Sequence, residues 1–138
     1  MLNHITIMGR LTKQPELRRT GSGVAVTSFT VAVDRDIANK ETGKKDTDFI
    51  DCVAWRGTGE FVEKNFNKGS MAVVSGRLQI REWTDKDGNK RRSAEVVADS
   101  VYFGESKKSD GNAQHGTYGD AAQQNFQAID IPDAQLPF

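Results

Sequence analysis

The chain has 138 residues, of which 36% are hydrophobic and 28% are charged, and its formal net charge at pH 7 is zero. This length leaves room for one folded domain plus an appendage and excludes two full domains. Residues 1–104 contain 17 lysines and arginines against 14 acidic residues, whereas residues 105–138 contain 2 against 5. A basic body joined to an acidic tail is typical of chains whose partner is a nucleic acid.

Cys52 is the only cysteine, so an intrachain disulfide is excluded and nothing indicates an oxidising compartment. The apolar run at 1–7 is too short for a signal peptide and lacks the charged start of one. No segment approaches the roughly 20 apolar residues of a transmembrane helix. We therefore expect a cytoplasmic protein without a membrane partner.

Alternation of apolar and polar residues dominates the body of the chain and predicts β-strands. The first strand is expected to bulge or bend at Gly9, as a curled sheet requires. Residues 35–47 are polar and are predicted to form a long exposed loop. The predicted strands are Leu2–Leu11, Val24–Asp34, Asp48–Arg56, Ser70–Thr84 and Lys90–Phe103, with turns at 20–23 and at Asp87-Gly88.

One segment, Gly57–Phe66, has the pattern of a short helix. Thr58 is its candidate N-cap, and Phe61, Val62 and Phe66 would form its buried stripe. Three strands, a helix and two strands follow the order of an OB-fold, an all-β, partly open five-stranded Greek-key barrel that binds oligonucleotides. A different small α+β fold with the same order remains open at this point.

From Glu105 onward the composition changes to glycine, glutamine, serine, asparagine and aspartate, without apolar periodicity. Such a segment cannot bury enough apolar surface to offset the entropy lost on ordering. Apolar residues return only at 129–138. We therefore expect a folded domain at residues 1–104, a disordered polar linker at 105–128 and a terminal tip at 129–138.

Aromatic residues mark one face of two predicted strands. Phe49 and Trp55 share a face of the third strand, and Trp83 shares a face of the fourth with Arg77 and Arg81. Every base has a π-face, so an exposed ring can stack an unpaired base for about 1–3 kcal/mol. These three rings are therefore candidate stacking residues. Two alternatives remain: Phe49 and Trp55 in the core, or Trp83 covering a neighbouring strand or a subunit contact. The predicted core face of the fourth strand is Ala72, Val74, Gly76, Leu78 and Ile80.

Cations are interleaved with these aromatic residues. A charge run usually means only a solvated surface, but cations beside aromatic rings are typical of a groove that binds single strands without strong sequence preference. The candidate phosphate-binding residues are Arg10, Lys13, Arg18, Arg56, Arg77, Arg81, Lys90 and Arg92.

Catalysis has little support in the sequence, which contains no CxxC, HExxH or GxxxxGK[ST] motif. Cys52 is predicted to lie on the face opposite the aromatic rings, where a small core residue is expected rather than a nucleophile. Carboxylates are ligands of Mg²⁺, and aspartates occur at 34, 36, 46, 48 and 51. Their loop settings indicate solvated turn residues rather than metal ligands. We expect no enzyme, no cofactor and no bound metal.

Five segments stand in the order and spacing of one protein family: the opening Met1–Arg18, Asp48–Trp55, Lys68-Gly-Ser70, Gly76-Arg-Leu78 and Trp83-Thr-Asp85 followed by Gly88. In these segments the sequence resembles the bacterial and bacteriophage single-stranded DNA-binding protein family (SSB). The resemblance implies an OB-fold that assembles as a homotetramer, with stacking aromatics at Phe49, Trp55 and Trp83. Another aromatic of some members falls near Ile37 here.

The C-terminus is similar to the acidic tip of the same family. The resemblance implies that Asp130, Asp133, Leu136, Pro137 and Phe138 bind replication, recombination and repair proteins. It also implies a nucleoid-associated protein that coats and protects single-stranded DNA. Two alternatives are a primosome or recombination accessory protein that chiefly binds proteins, and a nuclease.

Overall fold

A computed structural model describes residues 1–106, so the predicted tip and all but the first two residues of the predicted linker lie outside the described residues. The described chain forms six strands and one helix. They are β1 Ile5–Leu11, β2 Glu16–Arg19, β3 Ala25–Ala38, β4 Lys45–Trp55, α1 Arg56–Asn65, β5 Met71–Thr84 and β6 Lys90–Phe103.

The strands form one sheet in the order β1-β5-β6-β4-β3-β2, and β1 also pairs with β3, which closes the sheet into a barrel. All neighbouring strands run antiparallel except β4 and β6, which are parallel. With one short helix between β4 and β5, this all-β barrel is an OB-fold, which confirms the prediction. The short β2 was not predicted, because its four residues include only one apolar side chain.

The barrel interior is filled by small and branched apolar side chains, and α1 covers one part of it. Val62 of α1 and Phe66, the residue that caps its C-terminus, are fully buried, and the ring of Phe66 stacks on Phe103. Thr27 is buried too, and its hydroxyl donates a 2.7 Å hydrogen bond to the carbonyl of Gly59. The helix is thus fixed to β3 by a polar contact as well as by apolar packing.

Two details of the predicted helix are wrong. Trp55, not Thr58, occupies the N-cap position, where no side chain caps the helix. The Thr58 hydroxyl instead donates to the carbonyl of Asp99. Phe61 is partly exposed and contacts the rings of Phe66 and Phe103 edge-on, so it lies beside the buried stripe rather than within it.

Of the bulge or bend predicted at Gly9, the bulge is absent. The pairing of β1 with β5 runs without a shift from Ile5 to Arg10. A Cβ atom on Gly9 would collide with the backbone carbonyl oxygen of Ala32. Gly9 is therefore needed for the close approach of β3 where the barrel closes.

The predicted loop at 35–47 is mostly strand. β3 continues to Ala38 and β4 begins at Lys45, which leaves only 39–44 as the turn. The guanidinium of Arg35 donates two hydrogen bonds, of 3.0 and 2.8 Å, to the carboxylate of Asp48 across this ribbon. Because both faces of the ribbon are largely exposed, its polar sequence gave no period-two signal.

Leu78 and Ile80 were predicted in the core, and this is wrong: 40% and 55% of their surfaces are exposed. Here β5 and β6 extend past the barrel as a two-stranded ribbon that ends in the turn at 85–89. Because β4 and β6 are parallel, the β3–β4 turn and the β5–β6 turn lie at the same end of the barrel. Two ribbons therefore project from one end of the molecule.

The close approach at Gly9 generates a stability prediction. Gly9→Ala should lower the free energy of unfolding by about 1–3 kcal/mol, because β1 and β3 must separate to admit a methyl group. Urea denaturation measures the change. Gly21→Ala is the matched control, since a Cβ there meets nothing within 4 Å. Equal denaturation midpoints for the two variants would contradict the closure assigned to Gly9.

Candidate nucleic-acid interface

The alternation of β4 separates an aromatic outer face from an apolar inner face. Phe49 and Trp55 are 69% and 45% exposed, whereas Cys52 and Ala54 between them are buried. The predicted division of faces is confirmed, and the alternative that placed both rings in the core is excluded. Two aromatic rings on one strand thus face solvent.

Trp83 lies near the end of the β5–β6 ribbon with 48% of its surface exposed. Its indole Nε1–H donates a 2.8 Å hydrogen bond to the hydroxyl of Ser93 on β6. The indole therefore contacts the neighbouring strand at one edge and leaves about half of its surface open. The sequence left open whether Trp83 covers a neighbouring strand or faces solvent. In the structure its indole does both.

The register of the sheet shows that all three rings lie on the same face. Val53 on the Phe49–Trp55 face pairs with Val97 of β6, which in turn pairs with Arg77 of β5. Paired residues point to the same side of a sheet, and residues two apart along a strand do so as well. The face that carries Phe49 and Trp55 is therefore continuous with the face that carries Arg77, Arg81 and Trp83, and we call this continuous surface the aromatic face.

Arg18 also belongs to the aromatic face. It pairs with Val26 of β3, and Val26 pairs with Trp55 of β4. Two strand spacings separate the backbones of Arg18 and Trp55 by about 10 Å. The Arg18 side chain is highly exposed and forms only a 3.4 Å ion pair with Glu16. Such an exposed pair is weak and can exchange its carboxylate for a phosphate.

The predicted phosphate-binding cations fall into three groups. Arg10 is engaged in the fold: its guanidinium donates to the carbonyl of Gly69 and to the carboxylate of Glu105. Arg18 and Arg92 form exposed ion pairs with Glu16 and Glu82. The side-chain nitrogen atoms of the other five have no carboxylate oxygen within 4.0 Å in the part of the chain that the structure describes. These five residues are Lys13, Arg56, Arg77, Arg81 and Lys90.

Arg56 has an unusual backbone conformation. It follows Trp55 and begins α1 with φ of +55°, the left-handed region that residues other than glycine rarely adopt. Such a conformation costs about 1–2 kcal/mol for a residue with a Cβ. The sharp turn carries the chain from β4 into α1 and leaves Arg56 exposed beside Trp55. No pattern in the sequence signals this turn.

Asp85 organises the tip of the β5–β6 ribbon. One carboxylate oxygen accepts the backbone N–H groups of Asp87 and Asn89, and the other accepts the guanidinium of Arg91 at 3.0 Å. The N–H of Asn89, and then the Arg91 side chain, lower the pKa of the Asp85 carboxyl. The carboxylate is therefore ionised at neutral pH. It holds Arg91 directly across from Trp83.

Residues 1–106 contain neither an activated thiol nor a cluster of metal-ligand side chains. Burial, and then the charge of Asp51, raise the pKa of the Cys52 thiol to about 12, so the thiol is protonated at neutral pH. Within residues 1–106, no three His, Cys, Asp or Glu side chains come together as a metal site would require. Among these same residues, no helix has the length and apolar character needed to cross a membrane.

The fold and the exposed aromatic and cationic side chains define an OB-fold barrel of the kind that presents a binding face on its sheet. Residues 2–104 match the single-strand binding protein family. The chain belongs to this family.

Several curated proteins are similar over most of the chain. The "Single-stranded DNA-binding protein 2" of Listeria monocytogenes is 50% identical over 107 residues, which cover 78% of this chain and 66% of that protein. The "Single-stranded DNA-binding protein A" of Bacillus subtilis is 46% identical over 116 residues, 84% of this chain and 67% of that protein. The "Single-stranded DNA-binding protein" of Oceanobacillus iheyensis is 38% identical over the full length of both chains.

Proposed function

We propose that this chain binds single-stranded DNA on the aromatic face, largely without regard to sequence. The observation that carries the proposal is the exposure of Phe49, Trp55 and Trp83 on one side of one continuous sheet, which also carries Arg77 and Arg81, two arginines without an ion pair among residues 1–106. Large apolar rings favour burial, so three of them on one solvent-facing surface indicate a ligand with flat apolar faces. The names of the relatives support the same ligand.

The binding mechanism follows from the two kinds of side chain. Bases stack on the three rings, and each stack contributes about 1–3 kcal/mol irrespective of the base. Guanidinium groups between the rings neutralise phosphates and release their counterions. Neither contact reads the hydrogen-bonding edge of a base, so affinity depends little on sequence. Duplex DNA is excluded because its bases are already stacked on one another.

This binding gives the protein a protective role rather than a catalytic one. We propose that it coats single strands exposed during replication, recombination and repair in the cytoplasm, in association with the nucleoid. Membership of the single-strand binding protein family agrees with the expectation that the chain is not an enzyme. An accessory protein that chiefly binds other proteins would not require three exposed aromatic rings on the sheet face that carries Arg77 and Arg81.

We also propose that the protein assembles as a homotetramer. Toward the end of β5 opposite Trp83, Met8, Val73 and Tyr102 form an apolar row across β1, β5 and β6, and Met8 and Tyr102 are exposed. On its second edge β1 has a strand neighbour only at Arg10 and Leu11 within the described chain. An open strand edge and an apolar row both support contact with further copies. Light scattering on the full chain measures the assembly.

The C-terminal tip is proposed to recruit other proteins. Asp130, Asp133, Leu136, Pro137 and Phe138 lie outside the described residues, so this proposal depends on the sequence and on the family resemblance alone. Two carboxylates followed by a Leu-Pro-Phe terminus suit an apolar pocket with a basic rim on replication, recombination and repair proteins. Residues 105–128 would then connect the tip to the binding domain.

Replacing the tryptophans tests the stacking mechanism. Trp55→Ala and Trp83→Ala should each weaken binding by about 1–3 kcal/mol, on oligo-dT and mixed-sequence oligonucleotides alike. Anisotropy of a labelled oligonucleotide measures the affinity. Trp55→Phe is the matched control, because it retains a ring and should bind far better than Trp55→Ala. Unchanged affinity in both alanine variants would refute stacking at these positions.

Salt dependence tests the arginines. Arg77→Gln and Arg81→Gln should each reduce the slope of log K against log salt by about 0.7, the value for one phosphate contact on a single strand. Lys64→Gln removes the same charge from α1, away from the aromatic face, and should leave the slope unchanged. If all three variants altered the slope equally, only net charge would matter and no arginine would contact a phosphate.

Removal of residues 130–138 tests the division between the two binding functions. The shortened chain should bind oligo-dT at least as tightly as the full chain, because the deletion removes only negative charge. It should no longer retain replication and repair proteins in a pull-down. Retention of those partners by the shortened chain would assign their binding to residues 1–129.

A further inference from the structure

Trp83 differs from the other two stacking residues because its ring is fixed in place by a hydrogen bond. Its indole Nε1–H donates to the Ser93 hydroxyl at 2.8 Å. In the described chain the Trp55 indole has no such bond, and the Phe49 ring has no donor. Ser93 lies on the aromatic face of β6, directly opposite Arg81 and diagonal to Trp83. The bond therefore crosses from one strand to the next on the surface itself.

The surroundings of Trp83 limit its motion further. Arg91, its partner across the ribbon, is tied to Asp85, and Asp85 also holds the backbone of the turn. A ribbon that projects from a barrel has few apolar contacts to restrain its side chains, as the exposed Leu78 and Ile80 show. Hydrogen bonds consequently take the place of packing at this end of the sheet. The Ser93 bond is the one that acts on a ring.

We propose that Ser93 is a positioning residue that holds the Trp83 indole in its base-stacking orientation. This inference rests on the proposed function. An exposed tryptophan samples several rotamers, and ordering it on binding reduces affinity. A ring already held at one edge is ordered before DNA arrives, so binding is tighter. Because Ser93 would act only through the ring, its contribution should vanish when the ring is absent.

Two other roles for Ser93 make different predictions. If the hydroxyl stabilised the ribbon through a contact other than the Trp83 bond, its loss would weaken binding whether or not Trp83 were present. If the hydroxyl contacted a phosphate directly, its loss would also weaken binding without Trp83. Only a residue that acts through Trp83 gives complete non-additivity in a double-mutant cycle.

The experiment is such a cycle on the full chain with Ser93→Ala, Trp83→Ala and the double variant, measured by anisotropy of labelled oligo-dT. Ser93→Ala alone should weaken binding about two- to tenfold. In the Trp83→Ala background it should have no effect. Ser93→Thr retains a hydroxyl and should restore most of the affinity.

A spectroscopic measurement gives an independent readout before DNA is added. The chain has two tryptophans, so Trp55→Phe leaves Trp83 as its single indole. Time-resolved fluorescence anisotropy in that background should show faster local motion of Trp83 after Ser93→Ala, and normal motion after Ser93→Thr. Unchanged motion after Ser93→Ala would overturn the positioning role.

The outcomes separate this inference from the proposed function. If Trp83→Ala weakens binding and Ser93→Ala does not, only the positioning role is refuted. If Ser93→Ala weakens binding equally with and without Trp83, the serine acts on the ribbon or on DNA, and the inference is again refuted. If Trp83→Ala itself has no effect on binding, the stacking role of Trp83 fails together with the inference.

Discussion

The parallel pairing of β4 with β6 is the constraint on which the rest of the structure depends. It joins Cys52, Val53 and Ala54 to 96–98 and links the two halves of the sheet. Cys52 and Ala54 turn into the core, so alternation forces Val53 and Trp55 to the opposite face. A slip of one residue in this pairing would exchange the two faces of β4 and bury its aromatic rings.

The same pairing decides where the two projecting ribbons lie. Parallel strands begin at the same end of a sheet, so both projecting ribbons leave the barrel together. Lysines and arginines in the two turns, such as Lys44 and Lys86, are thereby brought to one end of the molecule. Glu41, Asp85 and Asp87 lie in the same two turns, so cations and carboxylates are interleaved at this end.

The sequence predicts the barrel and the face of β4 because one side of that strand is buried. Alternation is strong where a strand covers a core, so Phe49 and Trp55 could be assigned to one side and Cys52 to the other. The prediction fails where the sheet continues without a core. Leu78 and Ile80 keep the alternation of buried residues although they lie beyond the barrel. Periodicity shows which side chains share a face but not how far the core extends.

Contacts between residues that lie far apart in the sequence could not be predicted either. Nothing in the order of residues shows that Arg10 is bonded to Glu105, or that Trp83 is bonded to Ser93. The left-handed backbone conformation of Arg56 could not be predicted either, because a glycine is expected at such a position and the sequence has an arginine there. These features depend on the register and the curvature of the sheet. They decide which candidate cations are unpaired and which ring is fixed.

The central claim is that single strands lie across the aromatic face. Photo-crosslinking of the full chain to oligonucleotides that carry 5-iodouracil, followed by peptide mass spectrometry, locates the contact directly. Crosslinks are expected at Phe49, Trp55 and Trp83. Crosslinks concentrated instead on the row of Met8, Val73 and Tyr102, at the other end of β5, would contradict this claim.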